Sequence, residues 1–173
     1  ERGQVEEALD QLKEAVILSP DVPMFRVTLA LTYMDKGWLD RAVEELYRAL
    51  SIDESYASAY INLTAVYRMQ GEPQKAIAAG RKAVSLASSN AIAHTNLGLA
   101  CLDAGATADA ERHLSRALAL DSECSEAWLN LGILYANQKQ YDRARQHWEQ
   151  ALELNPRLSE ARENLDKLKH IGY

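Results

Sequence analysis

Three asparagines, Asn62, Asn96 and Asn130, stand 34 residues apart in a chain of 173. A side-chain amide carries a donor and an acceptor, so a row of them can pair with a peptide backbone without reading its side chains. The other chemically able residues offer less. His113 and His147 also lie 34 apart. That spacing puts them in one column on neighbouring helices, about 10 Å from each other and too far to share an ion. No metal site is expected. His94 and Cys101 share one helical stripe as packing residues, and His170 falls in a charged terminal stretch. Cys101 and Cys124 lack the spacing of metal ligands. Two free thiols suit a reducing compartment, so the expected location is cytoplasmic. The sequence holds no P-loop, dinucleotide fingerprint, zinc-protease helix or nucleophile elbow. Neither a catalytic residue nor a cofactor is expected, and the chain is read as a non-enzyme.

Bulk properties exclude further classes. The chain has 19 basic against 25 acidic residues, a net charge of −6. Domains that bind nucleic acid through its phosphates are usually basic, so no nucleic-acid partner is expected. No apolar run approaches the roughly 20 residues of a membrane helix. With 47% apolar residues, the chain is not wholly disordered.

The elements that carry these residues follow from the same period. Gly3, Gly37, Gly71 and Gly105 are spaced by 34. So are Ala8, Ala42, Ala76, Ala110 and Ala144, and again Ala15, Ala49, Ala83, Ala117 and Ala151. Columns at one period of this size mean stacked repeats. Within a unit, Tyr60, Leu63, Thr64 and Tyr67 fall at i, i+3, i+4 and i+7, one stripe of a helix. Gly71 ends that helix, and Pro73 suits the first turn of the next. The short gap makes the two helices antiparallel. The second-helix alanines let the first helix approach closely, while Tyr67, Tyr135 and Trp148 fill the remaining space.

The unit Ser125 to Leu158 resembles the tetratricopeptide repeat through Trp128, Leu131, Gly132, Tyr135, Ala144, Trp148, Ala151 and Pro156. Three earlier units resemble it too, with departures at Arg26, Thr64, Gly80, His94 and Cys101. The resemblance implies an all-α solenoid, a right-handed superhelix of antiparallel helix pairs. One domain over 1–173 is expected. It contains a half-repeat at 1–22, full repeats at 23–56, 57–90, 91–124 and 125–158, and a capping helix at 159–173.

What the resemblance implies about function is a protein–protein interaction scaffold that holds a peptide or helical segment in a concave groove. First helices line that groove in this family. Asn62, Asn96 and Asn130 then resemble the asparagine ladder of peptide-binding solenoids. Leu31, Ile61, Leu99, Leu129 and Ile133 would meet apolar side chains of the partner, with Arg68 and Asn137 at the polar edge. The cationic clamp of chaperone-binding relatives is missing, since Val27, Leu31, Ile92 and Asn96 occupy its places. Trp38 and Phe25 are expected to be partly exposed. At the N-terminal end, Val5, Leu9, Leu12, Val16 and Ile17 have no visible partner on one side. That suggests a chain continuing upstream or a second copy packed there. The alternative function is a substrate-recruiting or regulatory arm of a larger enzyme, a transferase among the options, or a self-assembling scaffold.

Overall fold

A computed structural model describes residues 2–172, with side chains from Leu9 onward. The expectations for the Val5 and Ala8 side chains therefore lie outside the described residues. These residues form ten α-helices and no strand. The helices are α1 (Arg2–Leu18), α2 (Pro23–Asp35), α3 (Leu39–Ile52), α4 (Ala57–Met69), α5 (Pro73–Leu86), α6 (Ala91–Asp103), α7 (Thr107–Leu120), α8 (Ser125–Asn137), α9 (Tyr141–Leu154) and α10 (Ser159–His170). Two compact units, Glu1–Ser88 and Ser89–Tyr173, contain them. In the first, α2 pairs with α3 and α4 with α5, while α1 packs on α2 and α3 on α4. In the second, α6 pairs with α7 and α8 with α9, while α7 packs on α8 and α9 on α10.

Each pair is joined by the same turn. The N–H of Gly71 bonds to the Arg68 carbonyl at 2.9 Å and that of Glu72 to the Tyr67 carbonyl at 2.9 Å. These two bonds form a Schellman motif, which satisfies the last carbonyls of the helix. Its pivot needs a left-handed backbone, and Gly37, Gly71 and Gly105 supply φ values of 73°, 72° and 72°. In the fourth turn Lys139 does the same work at φ 61°. The linkers between pairs also have a recurring device. The Asp53, Asp121 and Asn155 side chains accept from the N–H two residues on. In the α5–α6 linker Asn90 caps α6 by accepting from the Ala93 N–H at 3.0 Å.

In two hairpins a matched pair of residues 16 apart is in close contact, Gly98 with Leu114 and Gly132 with Trp148; the same positions in the other two hold Ala30 with Leu46 and Thr64 with Gly80. One member is small wherever the other is large. A Cβ on Gly98 would lie 2.7 Å from Leu114 Cγ, and one on Gly132 would lie 2.5 Å from Trp148 Cδ1. Leu46, Leu114 and Trp148 are accordingly buried, as are all eight second-helix alanines from Ala42 to Ala151 in the two columns. Thr64 and Gly80, which depart from the family pattern, sit in the same register with the sizes reversed.

Two tests follow. Gly132→Ala should destabilise by about 1–3 kcal/mol through overpacking. Adding Trp148→Leu should recover part of that loss, giving a coupling of roughly 0.5–3 kcal/mol in urea melts. Additive costs would show that the two positions do not share one space. Lys139→Gly should stabilise by about 0.5–1 kcal/mol, because glycine adopts the left-handed pivot without the side-chain penalty. An unchanged or lower urea midpoint would refute this.

Candidate peptide-binding surface

In the first unit the expected ligand-facing residues lie on α2 and α4. Leu31 is 41% exposed, and Met24 and Met69 on the same two helices are 53% and 55% exposed. Ile61, Asn62 and Arg68 are half-buried. All three methionines of the chain, Met24, Met34 and Met69, belong to these two helices. Methionine is flexible and polarisable, so its side chain can adapt to irregular apolar surroundings. Asn62 donates from Nδ2 to the Ser58 carbonyl at 2.8 Å, a bond within its own helix. That uses one of three groups the amide offers and fixes its orientation.

In the second unit Asn130 repeats the arrangement, donating to the Glu126 carbonyl at 2.8 Å. Asn96 is half-buried and is engaged within the structure. Two expectations need correction. Leu99 and Leu129 are only 3% and 5% exposed, so neighbouring residues cover them and they are not part of the accessible surface. Trp148 reaches one of them directly, its Nε1 donating to the Leu129 carbonyl at 3.1 Å. Ile133 and Asn137 remain accessible and open onto a cleft of about 250 Å³. Its other walls are Ala136, Trp148, Asn164, Lys167, Leu168 and Ile171. The contribution of α10 was missed in the sequence, where its charges read only as a solvated cap. Arg162, Glu163, Asp166, Lys167 and Lys169 are indeed exposed, while Ala161 and Leu168 are buried.

A second concavity, of about 500 Å³, lies among Tyr47, Tyr60, Leu63, Tyr67, Lys75, Ala78 and Ala79. The Tyr47 and Tyr67 hydroxyls are hydrogen-bonded at 3.0 Å. Burial above all, and then that bond, raises the Tyr67 hydroxyl well above the ordinary tyrosine range. At the α2–α3 turn Trp38 is 39% exposed, with Lys36 and Arg41 at 5.1 and 5.0 Å from its ring.

Two of the off-pattern residues, Arg26 and His94, belong to a second cross-hairpin pairing, 19 residues apart. Arg26 donates to Glu45 at 3.0 Å, and Glu45, 6% exposed, also receives Arg48. Tyr60 faces the same cavity as Ala79. His94 bonds His113, Nδ1 to Nδ1 at 3.1 Å. Trp128 packs on His147, centroids 5.2 Å apart. His113 and His147, grouped by column in the sequence, thus each belong to a separate hairpin partner. His147 also lies 4.9 Å from the Tyr135 ring and bonds through Nδ1 to the Arg143 carbonyl at 2.8 Å. Burial lowers its pKa. The Tyr135 hydroxyl donates to Glu111 at 2.8 Å and accepts from Arg143 at 2.7 Å. Burial and the Glu111 bond push it up to about 12. Among the described residues no three His, Cys, Asp or Glu gather to hold a metal, and no helix is long and apolar enough to cross a membrane.

Three family models match the sequence. "Tetratricopeptide repeat" matches residues 125–158 and 65–122, and "TPR repeat" matches 30–71. A search of curated proteins found no match. Among solved structures the fold is similar to MamA, at 26% identity and a TM-score of 0.75, covering 91% of this chain and 92% of that one. It is similar to pilF of Pseudomonas aeruginosa, at 27% identity and 0.78, covering 94% and 70%. YrrB, described as a TPR protein with an unusual peptide-binding site, shares the fold at 19% identity and 0.72, covering 93% and 83%.

The Tyr135 network has a pH signature. Its folded pKa is raised, so its contribution to stability is present below the unfolded value near 10 and is lost as pH rises towards about 12. In an ultraviolet titration of the folded chain, Tyr135 should ionise late, and Tyr135→Phe should remove that late component. An unaltered profile in the variant would refute the assignment.

Proposed function

Because the chain belongs to the tetratricopeptide repeat family, we propose that it is a non-catalytic interaction scaffold that binds a peptide or helical segment of a partner protein. The observation that carries this reading is the accessible apolar surface on first helices. In the first unit it comprises Leu31, Ile61, Met24 and Met69. In the second it is the cleft bounded by Ile133, Asn137 and α10. Apolar surface of this kind is what a partner's side chains can cover. Asn62, Asn96 and Asn130 are assigned to the backbone of the bound segment, with Arg68 and Asn137 as polar neighbours. The orientation of Asn62 and Asn130 by their own helices supports this, since a fixed amide loses little freedom on binding.

The test uses the full chain to select binders from a displayed random-peptide library. The affinity of a selected peptide is then compared between wild type and the Asn62→Ala, Asn96→Ala, Asn130→Ala triple variant. Losing backbone bonds worth about 1 kcal/mol each should weaken binding at least about tenfold, with circular dichroism unchanged. Equal affinity in calorimetry would exclude the asparagines from the site.

A further inference from the structure

His94 on α6 and His113 on α7 are two metal-ligating side chains that already meet. Their Nδ1 atoms are 3.1 Å apart, with ring centroids at 5.3 Å and an interplanar angle of 31°. Two nitrogens bound to one tetrahedral ion at about 2.0 Å each lie about 3.3 Å apart. The hairpin therefore holds the two nitrogens at nearly the separation that chelation requires. Helix packing fixes both Cα positions: Gly98, one turn beyond His94, is in close contact with Leu114, the residue after His113.

We propose that His94 and His113 form a two-histidine site for a borderline divalent cation of the zinc or nickel type, which clips α6 to α7. Imidazole nitrogen suits these ions, and hard cations such as magnesium or calcium prefer oxygen. No third His, Cys, Asp or Glu joins the pair among the described residues, so water completes the coordination. His94 is 6% exposed, whereas His113 is half-buried. The ion therefore arrives from the His113 side.

The proton positions give the site a distinctive dependence on Arg112. Arginine only donates, and Arg112 Nη2 approaches His113 Nε2 at 3.5 Å. That approach favours the tautomer in which His113 Nε2 accepts and its Nδ1–H is donated to His94 Nδ1. To bind the ion, His113 must release the Nδ1 proton and take one up at Nε2, so the net proton count is unchanged. The new Nε2–H would face an Arg112 N–H. Arg112 also places a positive charge beside the incoming cation, softened by its ion pair with Asp109 at 2.8 Å. Removing Arg112 should therefore favour metal binding.

The experiment is calorimetric titration of the chelator-treated full chain with zinc chloride and, separately, nickel chloride, with thermal melts in each metal. Wild type should bind one ion and melt higher in its presence. His113→Ala should weaken binding at least about tenfold, the loss that even outer-shell partners cause. Arg112→Gln should tighten it, and His170→Ala, in the exposed last turn of α10, should leave it unchanged. Circular dichroism identifies any variant that fails to fold. In that event His113→Gln, which keeps the size and a hydrogen-bonding end, replaces the alanine variant. No binding by wild type, equal binding by the folded His113 variant, or no tightening on loss of Arg112 would overturn the proposal.

Discussion

Everything in this molecule depends on how closely two antiparallel helices approach within one hairpin. The approach is set by a pair of positions 16 residues apart whose sizes trade off. Gly132 admits Trp148 and Gly98 admits Leu114, and the same two positions of the first hairpin hold the buried Ala30 and Leu46. Protein interiors are packed near crystal density, so one added carbon at such a point is felt at once. The alanine columns on the second helices extend the same rule along the hairpin. Once the distance is fixed, the three-residue turn follows, and with it the left-handed pivot and its two hydrogen bonds.

The second pairing, 19 residues apart, operates under that constraint with different chemistry in each hairpin. An ion pair joins Arg26 to Glu45, a hydrogen bond joins two histidines, and an indole lies against an imidazole. A buried carboxylate such as Glu45 is tolerable only because arginines satisfy it. The network of Glu111, Tyr135 and Arg143 does similar work between α7, α8 and α9. These contacts distinguish hairpins that share the same backbone design.

Much of this was legible from the residues. Equal spacing of glycine and alanine columns reveals the repeat, the helical class and the family. The first helices begin at residues 23, 57, 91 and 125, each 34 after the last. The surface was less legible. A period states which residues are equivalent but not which face a neighbouring helix covers. Leu99 and Leu129 therefore looked like ligand contacts, although helices bury them, whereas Leu31 stays exposed. Arg26 and His94 looked like defects because each was compared with its own column. Their meaning lies in the residue 19 positions on, a relation visible only when two columns are compared row by row. The cleft beside α10 escaped notice for a related reason. Lys167 and Leu168 are adjacent in sequence, yet both border a hollow whose opposite wall is Ile133 and Trp148. Lys139 showed no local sign of its backbone conformation, except that it stands where three other turns have glycine.

The matched pairs also bear on how such a chain can be inherited. Both members of every 16-spaced and 19-spaced pair lie within one hairpin, as does the turn that joins its helices. Copying a whole 34-residue stretch carries each contact along with its complement. Copying a single helix could set Trp148 against Ala30 in place of Gly132, or leave Arg26 without its carboxylate. The hairpin is therefore the smallest piece that duplication or recombination can move intact. Substitutions at these paired positions are coupled within the hairpin, whereas exposed positions on the first helix lie outside such pairs.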